Sequence, residues 1–227
     1  MFSYYGSKGK TVKKYPYPLR STIVEPFAGS ARYSLLHWKH DIILIDKYEV
    51  ITKIWKYLQS STEEDILSLP TVSGGDNLKD IRSLSVEERS LMGFLINQGS
   101  STPKNVASRT FGNGKIGELV ERDKKRIASS LYKIRHWKII NGDYRCLDNI
   151  DATWFIDPPY QFGGQWYKKS VNNTHIDYEE LSDWSKSRKG QVIVCENSKA
   201  DWMEFNFLSN LSGAKYNSKE VMWYKEN

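Results

Sequence analysis

The residues best suited to chemistry form the stretch Thr-Trp-Phe-Ile-Asp-Pro-Pro-Tyr at positions 153–160. An apolar run of strand character stops at two prolines, which cannot donate to a sheet ladder, so Asp157 is predicted to end a buried strand. Its carboxylate and the Pro158 carbonyl could accept both hydrogens of an exocyclic amine while Tyr160 stacks on a planar ring. The alternative interpretation is a strand that ends in a Pro-Pro turn with a solvated aspartate.

A second group of candidates follows an earlier predicted strand, residues 22–27. The small residues Ala28-Gly29-Ser30-Ala31 then turn the chain into a helix near residue 32. Small residues let the backbone approach a ligand closely, although the turn could equally be an ordinary tight connection. The next predicted strand, 41–46, ends at Asp46, about 20 residues after the turn, where nucleotide-binding sheets hold ribose hydroxyls. Asp46 could also cap a helix predicted over 48–59.

The elements that must position these residues alternate between strand and helix. Further strands are predicted over 138–144 and 191–196, with a helix over 177–187 between the Asp157 strand and the last of them, and an edge strand over 219–224. Unbroken apolar strands separated by helices predict an α/β fold with a mostly parallel sheet covered on both faces.

Residues 60–137 have a different pattern, with helices and polar loops and no strand of comparable quality. A capping box at Ser85 predicts a helix to about residue 97, and a long amphipathic helix is predicted over 116–137 with its basic residues, Lys124 among them, mostly outward. We therefore predict a sheet domain over 1–59 and 138–227 with a helical insertion over 60–137.

The amino-acid composition indicates which partners and which cellular compartment to expect. The 227 residues contain 33 Lys and Arg against 27 Asp and Glu, a formal charge of +6, and 22 Trp and Tyr, a basic and aromatic balance that weakly indicates nucleic acid. Cys146 and Cys195 are the only cysteines, too few for a zinc cluster, so we expect no metal and a reducing, cytoplasmic compartment. No apolar run approaches 18 residues, so neither a signal peptide nor a membrane span is predicted.

Several of these motifs together resemble the amino-methyltransferases that act on DNA adenine. They are Glu25-Pro26-Phe27-Ala28-Gly29-Ser30-Ala31, Asp46, Gly142-Asp143-Tyr144 and Asp157-Pro158-Pro159-Tyr160. Their order is similar to that of the alpha group of DNA adenine methyltransferases, with the target-recognition region in the middle. The opening Tyr5-Gly6-Ser7-Lys8 resembles that group's N-terminal cofactor loop, with Ser7 in place of a glycine. Ala31 likewise replaces the last glycine of the usual Phe-x-Gly-x-Gly signature.

The resemblance implies a Rossmann-like S-adenosylmethionine-dependent methyltransferase fold with a helical target-recognition insertion. It also implies that the cofactor contacts the turn, with Asp46 on its ribose and Asp143 on its adenine. The full set of implied cofactor residues is Tyr5, Lys8, Glu25, Phe27, Ala28, Gly29, Ser30, Ala31, Asp46, Asp143, Tyr144 and Asp157. The target base would be held by Asp157, Pro158, Pro159 and Tyr160.

The partner implied by the resemblance is double-stranded DNA, and we expect the protein to be a monomer. Asn105, Ser108 and Arg109, in the polar loop 98–115 that ends at Lys115, are the candidates for reading base edges, and Lys168 and Lys169 suit phosphates. Two alternatives stay open: methylation of another amine, such as cytosine N4, an RNA base or glutamine, and a catalytically inactive DNA-binding protein. The aspartate favours adenine, because glutamine-modifying relatives resemble this motif with Asn in its place.

Overall fold

The computed structural model describes residues 1–9, 11–97, 99–109, 115–163, 176–212 and 217–227, apart from the side chains of 211, 212, 217 and 218. The chain forms two compact units. We call Lys8–Tyr48 with Trp137–Asn227 the sheet unit, and Met1–Ser7 with Glu49–His136 the helical unit. Lys168 and Lys169, predicted to bind DNA phosphates, lie outside the described residues.

The sheet unit is built on one seven-stranded mixed sheet. Its strands are β1 Thr22–Glu25, β2 Asp41–Asp46, β3 Lys138–Asn141, β4 Ala152–Ile156, β5 Gly190–Asn197, β6 Asn206–Ser212 and β7 Asn217–Glu226. They lie in the order β3-β2-β1-β4-β5-β7-β6, and in the described residues the antiparallel pairs are those of β7 with β5 and with β6. The prediction of an α/β fold with a mostly parallel sheet is therefore confirmed.

The strand order places a switch point between β1 and β4. From β1 the chain proceeds outward through β2 to β3, and it then returns to add β4 and β5 on the opposite side. Ligands of open α/β sheets bind beyond the carboxyl ends of the strands at such a point. The residues that follow β1 and β4 are those predicted to bind ligand, Phe27–Ala31 and Asp157.

Consecutive residues of β4 pack on opposite faces of the sheet, as a strand requires. Trp154 contacts Trp184 of helix α6, Tyr178–Ser187, with ring centroids 5.5 Å apart. Phe155 stacks at 4.3 Å on Tyr33 of helix α1, Arg32–Leu36. All five residues of β4 are buried, so this strand holds Asp157 on a rigid support.

The strand predicted over 219–224 is present, but the prediction that it forms an edge of the sheet is wrong. Strand β7 lies inside the sheet between β5 and β6, because β6 pairs along its outer side. The polar sequence of β6 lacks the regular alternation that predicts a strand, so only the long-range pairing with β7 reveals it.

The helical unit contains helices α2 Glu49–Ser60, α3 Glu63–Leu67, α4 Val86–Leu95 and α5 Ile116–Ala128. The capping box at Ser85 is present, with Glu88 as its partner. The single helix predicted over 116–137 is wrong, since α5 ends at Ala128 and a separate 3₁₀ turn, Leu131–Ile134, follows. Lys124 is also buried rather than outward, because its ammonium donates to the Leu69 carbonyl and to Glu121.

The compact units divide the chain at other positions than the predicted domains. Helix α2 and the first seven residues belong to the helical unit. Aromatic packing explains this, since Phe2 lies 5.4 Å from Trp55 and 5.6 Å from Phe94 between ring centroids. Among the described residues, no helix is long and apolar enough to cross a membrane.

Candidate active site

Asp157 directly follows β4, as its apolar run and the two prolines predict. Its side chain is 21% exposed, so it is reachable by a ligand while most of it is shielded from water. In the described part of the chain, no hydrogen bond reaches the Pro158 carbonyl. A partly exposed carboxylate and a carbonyl without a hydrogen-bond donor among the described residues thus follow the carboxyl end of the strand.

Two further contacts fix the loop that follows Asp157. The Tyr178 hydroxyl donates to the Pro159 carbonyl at 2.7 Å, and the Gln161 amide donates to Glu196 Oε1 at 2.6 Å. Burial raises the pKa of Glu196 to about 7, although the amides of Gln161 and Asn197 lower it. The loop is therefore anchored on both sides of Tyr160 by side chains from α6 and β5.

Lys8 lies in the same cluster and is almost fully buried. Its Nζ is 3.0 Å from Asp157 Oδ1 and 3.1 Å from Glu220 Oε1. It also donates to the Tyr160 hydroxyl and lies 4.4 Å from the centre of that ring. Burial alone would lower the pKa of Lys8, but Asp157 and Glu220 raise it above its ordinary value, so the side chain is an ammonium.

Glu220, on β7, completes the cluster. Its Oε1 accepts from the hydroxyls of Tyr160, at 2.6 Å, and Tyr15, at 2.5 Å. Burial raises the pKa of Asp157 to about 6; Lys8 lowers it and Glu220 raises it further. At neutral pH, Asp157 is therefore mainly ionised and can act as a hydrogen-bond acceptor.

The small-residue turn is held by Asp46, at the end of β2. Asp46 Oδ2 accepts from the Gly29 amide at 2.9 Å and Oδ1 accepts from the Tyr48 amide at 2.8 Å. Gly29 and Ala31 both have positive φ, 44° and 45°, which gives a tight turn and places a non-glycine residue in a strained conformation. Burial raises the pKa of Asp46 to about 6, although these amides lower it. Asp46 thus supports the turn and, with free lone pairs on each oxygen, can still accept from a ligand.

Asp143 lies beside Asp46 at the same edge of the sheet. β2 and β3 pair in parallel, with Asp46 opposite Asn141, and the Asn141 side chain donates to the Asp46 carbonyl at 3.0 Å. Burial would raise the pKa of Asp143, but hydrogen bonds from Arg145 and Lys47 hold it below its ordinary value. Tyr144, the next residue after Asp143, stacks on Phe27, which precedes the small-residue turn, with ring centroids 5.4 Å apart.

Glu25 is placed differently from the other predicted cofactor residues. It ends β1 with 3% exposure, and its Oε1 accepts from the Ser34 amide in α1 at 2.7 Å. Burial raises the pKa of Glu25 to about 8, against the lowering effect of Ser34. Its observed contact joins strand β1 to helix α1.

The raised pKa of Glu25 predicts a pH dependence of stability. A carboxyl group whose pKa is higher in the folded than in the unfolded state contributes its full stabilisation below the unfolded-state pKa. For Glu25, that stabilisation is lost as the pH rises to its folded-state pKa of about 8. Glu25→Gln keeps an oxygen that accepts from Ser34 but has no proton to lose. We expect it to raise stability at pH 9 relative to wild type by about 1 kcal/mol or more, and to flatten the profile between pH 5 and 9.

Urea unfolding at several pH values measures this difference. Glu226→Gln, on exposed β7 surface, is the matched control and should leave the pH profile unchanged. Parallel profiles for Glu25→Gln and wild type would show that Glu25 does not titrate in this range.

The remaining predicted residues lie in the helical unit. The Tyr5 amide donates to the Ser100 carbonyl at 3.1 Å. The loop containing Asn105 and Ser108 is paired with residues 74–78: the Leu78 amide donates to the Asn105 carbonyl at 2.7 Å, and Gly75 donates to Ala107 at 3.0 Å. The loop is therefore held in place by backbone hydrogen bonds rather than being a plain connection.

Arg109 and Lys115 are exposed at the edge of a cleft of about 740 Å³ in the helical unit. Two further cations, Arg122 and Lys125 of α5, line it together with Glu118 and Glu121. Gly74 closes one side, since a Cβ there would lie 2.9 Å from the Arg109 Cα. The structure thus brings two of the four described DNA candidates to one basic-rimmed cleft.

No family model matches the chain, and no curated protein matches it. Within the described ranges, no group of three or more His, Cys, Asp or Glu side chains could hold a metal ion.

The sequence interpretation missed Glu220 and Glu196. Glu220 stands between Lys219 and an apolar run in a segment predicted to be an edge, where a charged residue is expected to face water. Glu196 ends a predicted strand in the same way as Asp46 and Asp157, and that shared position was a usable signal.

Proposed function

We propose that this chain is a site-specific DNA adenine-N6 methyltransferase that uses S-adenosylmethionine. The observation that carries the proposal is the partly exposed Asp157 carboxylate, which follows β4 at the switch point of the sheet beside Tyr160. The strand order supports a Rossmann-like methyltransferase fold, because it begins as in dinucleotide-binding sheets and adds one reversed strand, β7, between β5 and β6.

The residues at the switch point suit the proposed cofactor. Asp46 and Asp143 supply carboxylate oxygens at adjacent strand ends, which can accept from ribose hydroxyls and an adenine amine. The Phe27 ring beside them offers an apolar contact to a purine. Bound there, S-adenosylmethionine would supply an electrophilic methyl group on a sulfonium sulfur.

In this mechanism, Asp157 and Pro158 orient the amine and localise its lone pair on nitrogen. An aromatic amine is a weak nucleophile because its lone pair is delocalised into the ring. By accepting both amine hydrogens, the Asp157 carboxylate and the Pro158 carbonyl favour a pyramidal nitrogen, and the carboxylate stabilises the positive charge that develops there. Tyr160 would replace the stacking that the base loses when it leaves the duplex.

Purified protein, incubated with methyl-labelled cofactor and unmethylated genomic DNA, tests this proposal. After digestion to nucleosides, label in N6-methyladenine supports it. Label in N4-methylcytosine, or transfer to RNA or protein but not to DNA, would assign a different amine. Absence of label from every substrate, with no binding of S-adenosylhomocysteine, would reject the methyltransferase function altogether.

Removal of either cofactor carboxylate should weaken binding. Asp46→Ala and Asp143→Ala each remove an acceptor, and the unpaired donor left behind costs about 1–3 kcal/mol. Calorimetry with S-adenosylhomocysteine measures the loss, and Asp41→Ala, at the other end of β2, is the matched control. Equal affinity of both variants and wild type would remove these residues from the cofactor site.

A further inference from the structure

The Lys8 ammonium contacts the carboxylate that the proposed function assigns to the amino group of the base. It lies 3.0 Å from Asp157 Oδ1, the oxygen of the proposed amine acceptor, and 4.4 Å from the centre of the Tyr160 ring. A group with three donor hydrogens therefore already occupies one oxygen of the acceptor. A base amine that binds Asp157 Oδ1 displaces Lys8 from that oxygen.

Glu220 is placed to receive the displaced ammonium. It is fully buried, and its Oε1 already lies 3.1 Å from Lys8 Nζ. Its second oxygen, Oε2, is buried and has no hydrogen-bond partner among the described residues. Because a buried carboxylate oxygen without a donor is costly, Oε2 gains stability by accepting a hydrogen from Lys8.

The charged side chains around Lys8 suit the positive charge that methyl transfer creates on the amine nitrogen. One ammonium, Lys8, lies within 3.1 Å of two acidic side chains, Asp157 and Glu220, so acidic groups outnumber basic ones by one. The hydroxyls of Tyr15 and Tyr160 and the buried thiol of Cys195 face the same cluster, and burial raises the pKa of each, so they are neutral. Methyl transfer brings one positive charge to the amine, which would balance the cluster.

We propose that Glu220 is a positioning residue that takes Lys8 from Asp157 when the base enters, so that Asp157 keeps its full charge for the amine. The inference rests on the proposed function. As the amine lone pair forms the nitrogen–carbon bond, the carbon–sulfur bond breaks and its electron pair stays on sulfur. The nitrogen is then positive, and it loses its proton to Asp157. Throughout, Lys8 stays paired with Glu220.

The first test is a charge rescue. Glu220→Gln keeps an oxygen for the Tyr15 and Tyr160 hydroxyls but leaves Lys8 to neutralise Asp157, so we expect single-turnover methyl transfer to fall by about 100-fold. Adding Lys8→Met to Glu220→Gln restores the single negative charge, and should recover about tenfold or more of that loss. Glu226→Gln, the same change at an exposed position of β7, is the control.

The second test is a binding readout that needs no DNA and no turnover. Sinefungin carries an ammonium group where the cofactor has its methyl-sulfonium centre, whereas S-adenosylhomocysteine is neutral there. The ratio of their affinities therefore reports the charge of the acceptor site. We expect Glu220→Gln to reduce the preference for sinefungin by about tenfold and the double variant to restore it.

The outcomes separate this inference from the proposed function. A wild-type protein that binds neither analogue and methylates nothing rejects both. An active wild type with Glu220→Gln within about threefold of it in both tests overturns the role of Glu220 alone. A slow Glu220→Gln variant that Lys8→Met does not improve assigns Glu220 a purely structural role, which also overturns the inference. Should Glu220→Gln not fold, the double variant is compared with Lys8→Met, in which the carboxyl groups of Asp157 and Glu220 lose the ammonium that lies between them. Charge balance requires the double variant to be the faster of the two.

Discussion

Asp157→Ala is expected to lower methyl transfer to DNA by about 10²–10³-fold or more while leaving the fold and cofactor binding intact. The carboxylate is the group that accepts an amine hydrogen and balances the charge on the nitrogen, and alanine supplies neither effect. Lys8 retains Glu220 as a partner in this variant, 3.1 Å from its ammonium, so no buried cation is left unpaired.

Single-turnover rates with labelled cofactor measure this loss, with calorimetry of S-adenosylhomocysteine in parallel. Asp151→Ala is the matched control, because Asp151 precedes the same strand at its other end and pairs with the surface residue Arg20. A rate for Asp157→Ala within a few-fold of the control would refute the proposed mechanism.

Gly190→Ala is expected to destabilise the sheet unit by about 3 kcal/mol or more. Gly190 begins β5 with a φ of +85°, and a Cβ there would lie 2.4 Å from the Ala152 carbonyl oxygen and 2.5 Å from Asp151 Oδ1. Two costs therefore add: a strained backbone and a clash with the strand that carries Asp157. The neighbouring backbone cannot yield without breaking the pairing of Ala152 with Gly190.

Gly163→Ala separates the two costs. Its φ is +98°, but its Cβ would meet none of the described residues within 4 Å, so only the backbone strain of about 1 kcal/mol is expected. Urea unfolding of both variants, followed by tryptophan fluorescence, gives the comparison. Similar losses for the two would mean that the β4–β5 contact adjusts to a methyl group at Gly190.

Much of the sheet could be predicted because its signals are local. The apolar run before Asp157 and the prolines after it define a strand end within a few residues, as do the runs before Asp46 and Glu196. The common edge then follows from the parallel alternation of strands and helices.

The features that escaped prediction depend on distant parts of the chain. Glu220 is buried because β7 pairs with both β5 and β6. The residues next to Glu220 in the sequence give no sign of either pairing. The end of α5 was missed for a different reason: Leu131 and Ile134 are buried, so the apolar period continues through the 3₁₀ turn. Lys124 was assigned to the surface by its charge, whereas a backbone carbonyl at Leu69 satisfies it inside.

Direct sequencing of DNA for modified bases shows whether this chain methylates adenine in cells. The wild-type chain and Asp157→Ala would be expressed in cells that lack adenine methylation, and the DNA of both would be compared. We expect N6-methyladenine at one recurring sequence with the wild type and its absence with Asp157→Ala. Unmodified adenine in both samples, from cells that contain folded protein and cofactor, would contradict it.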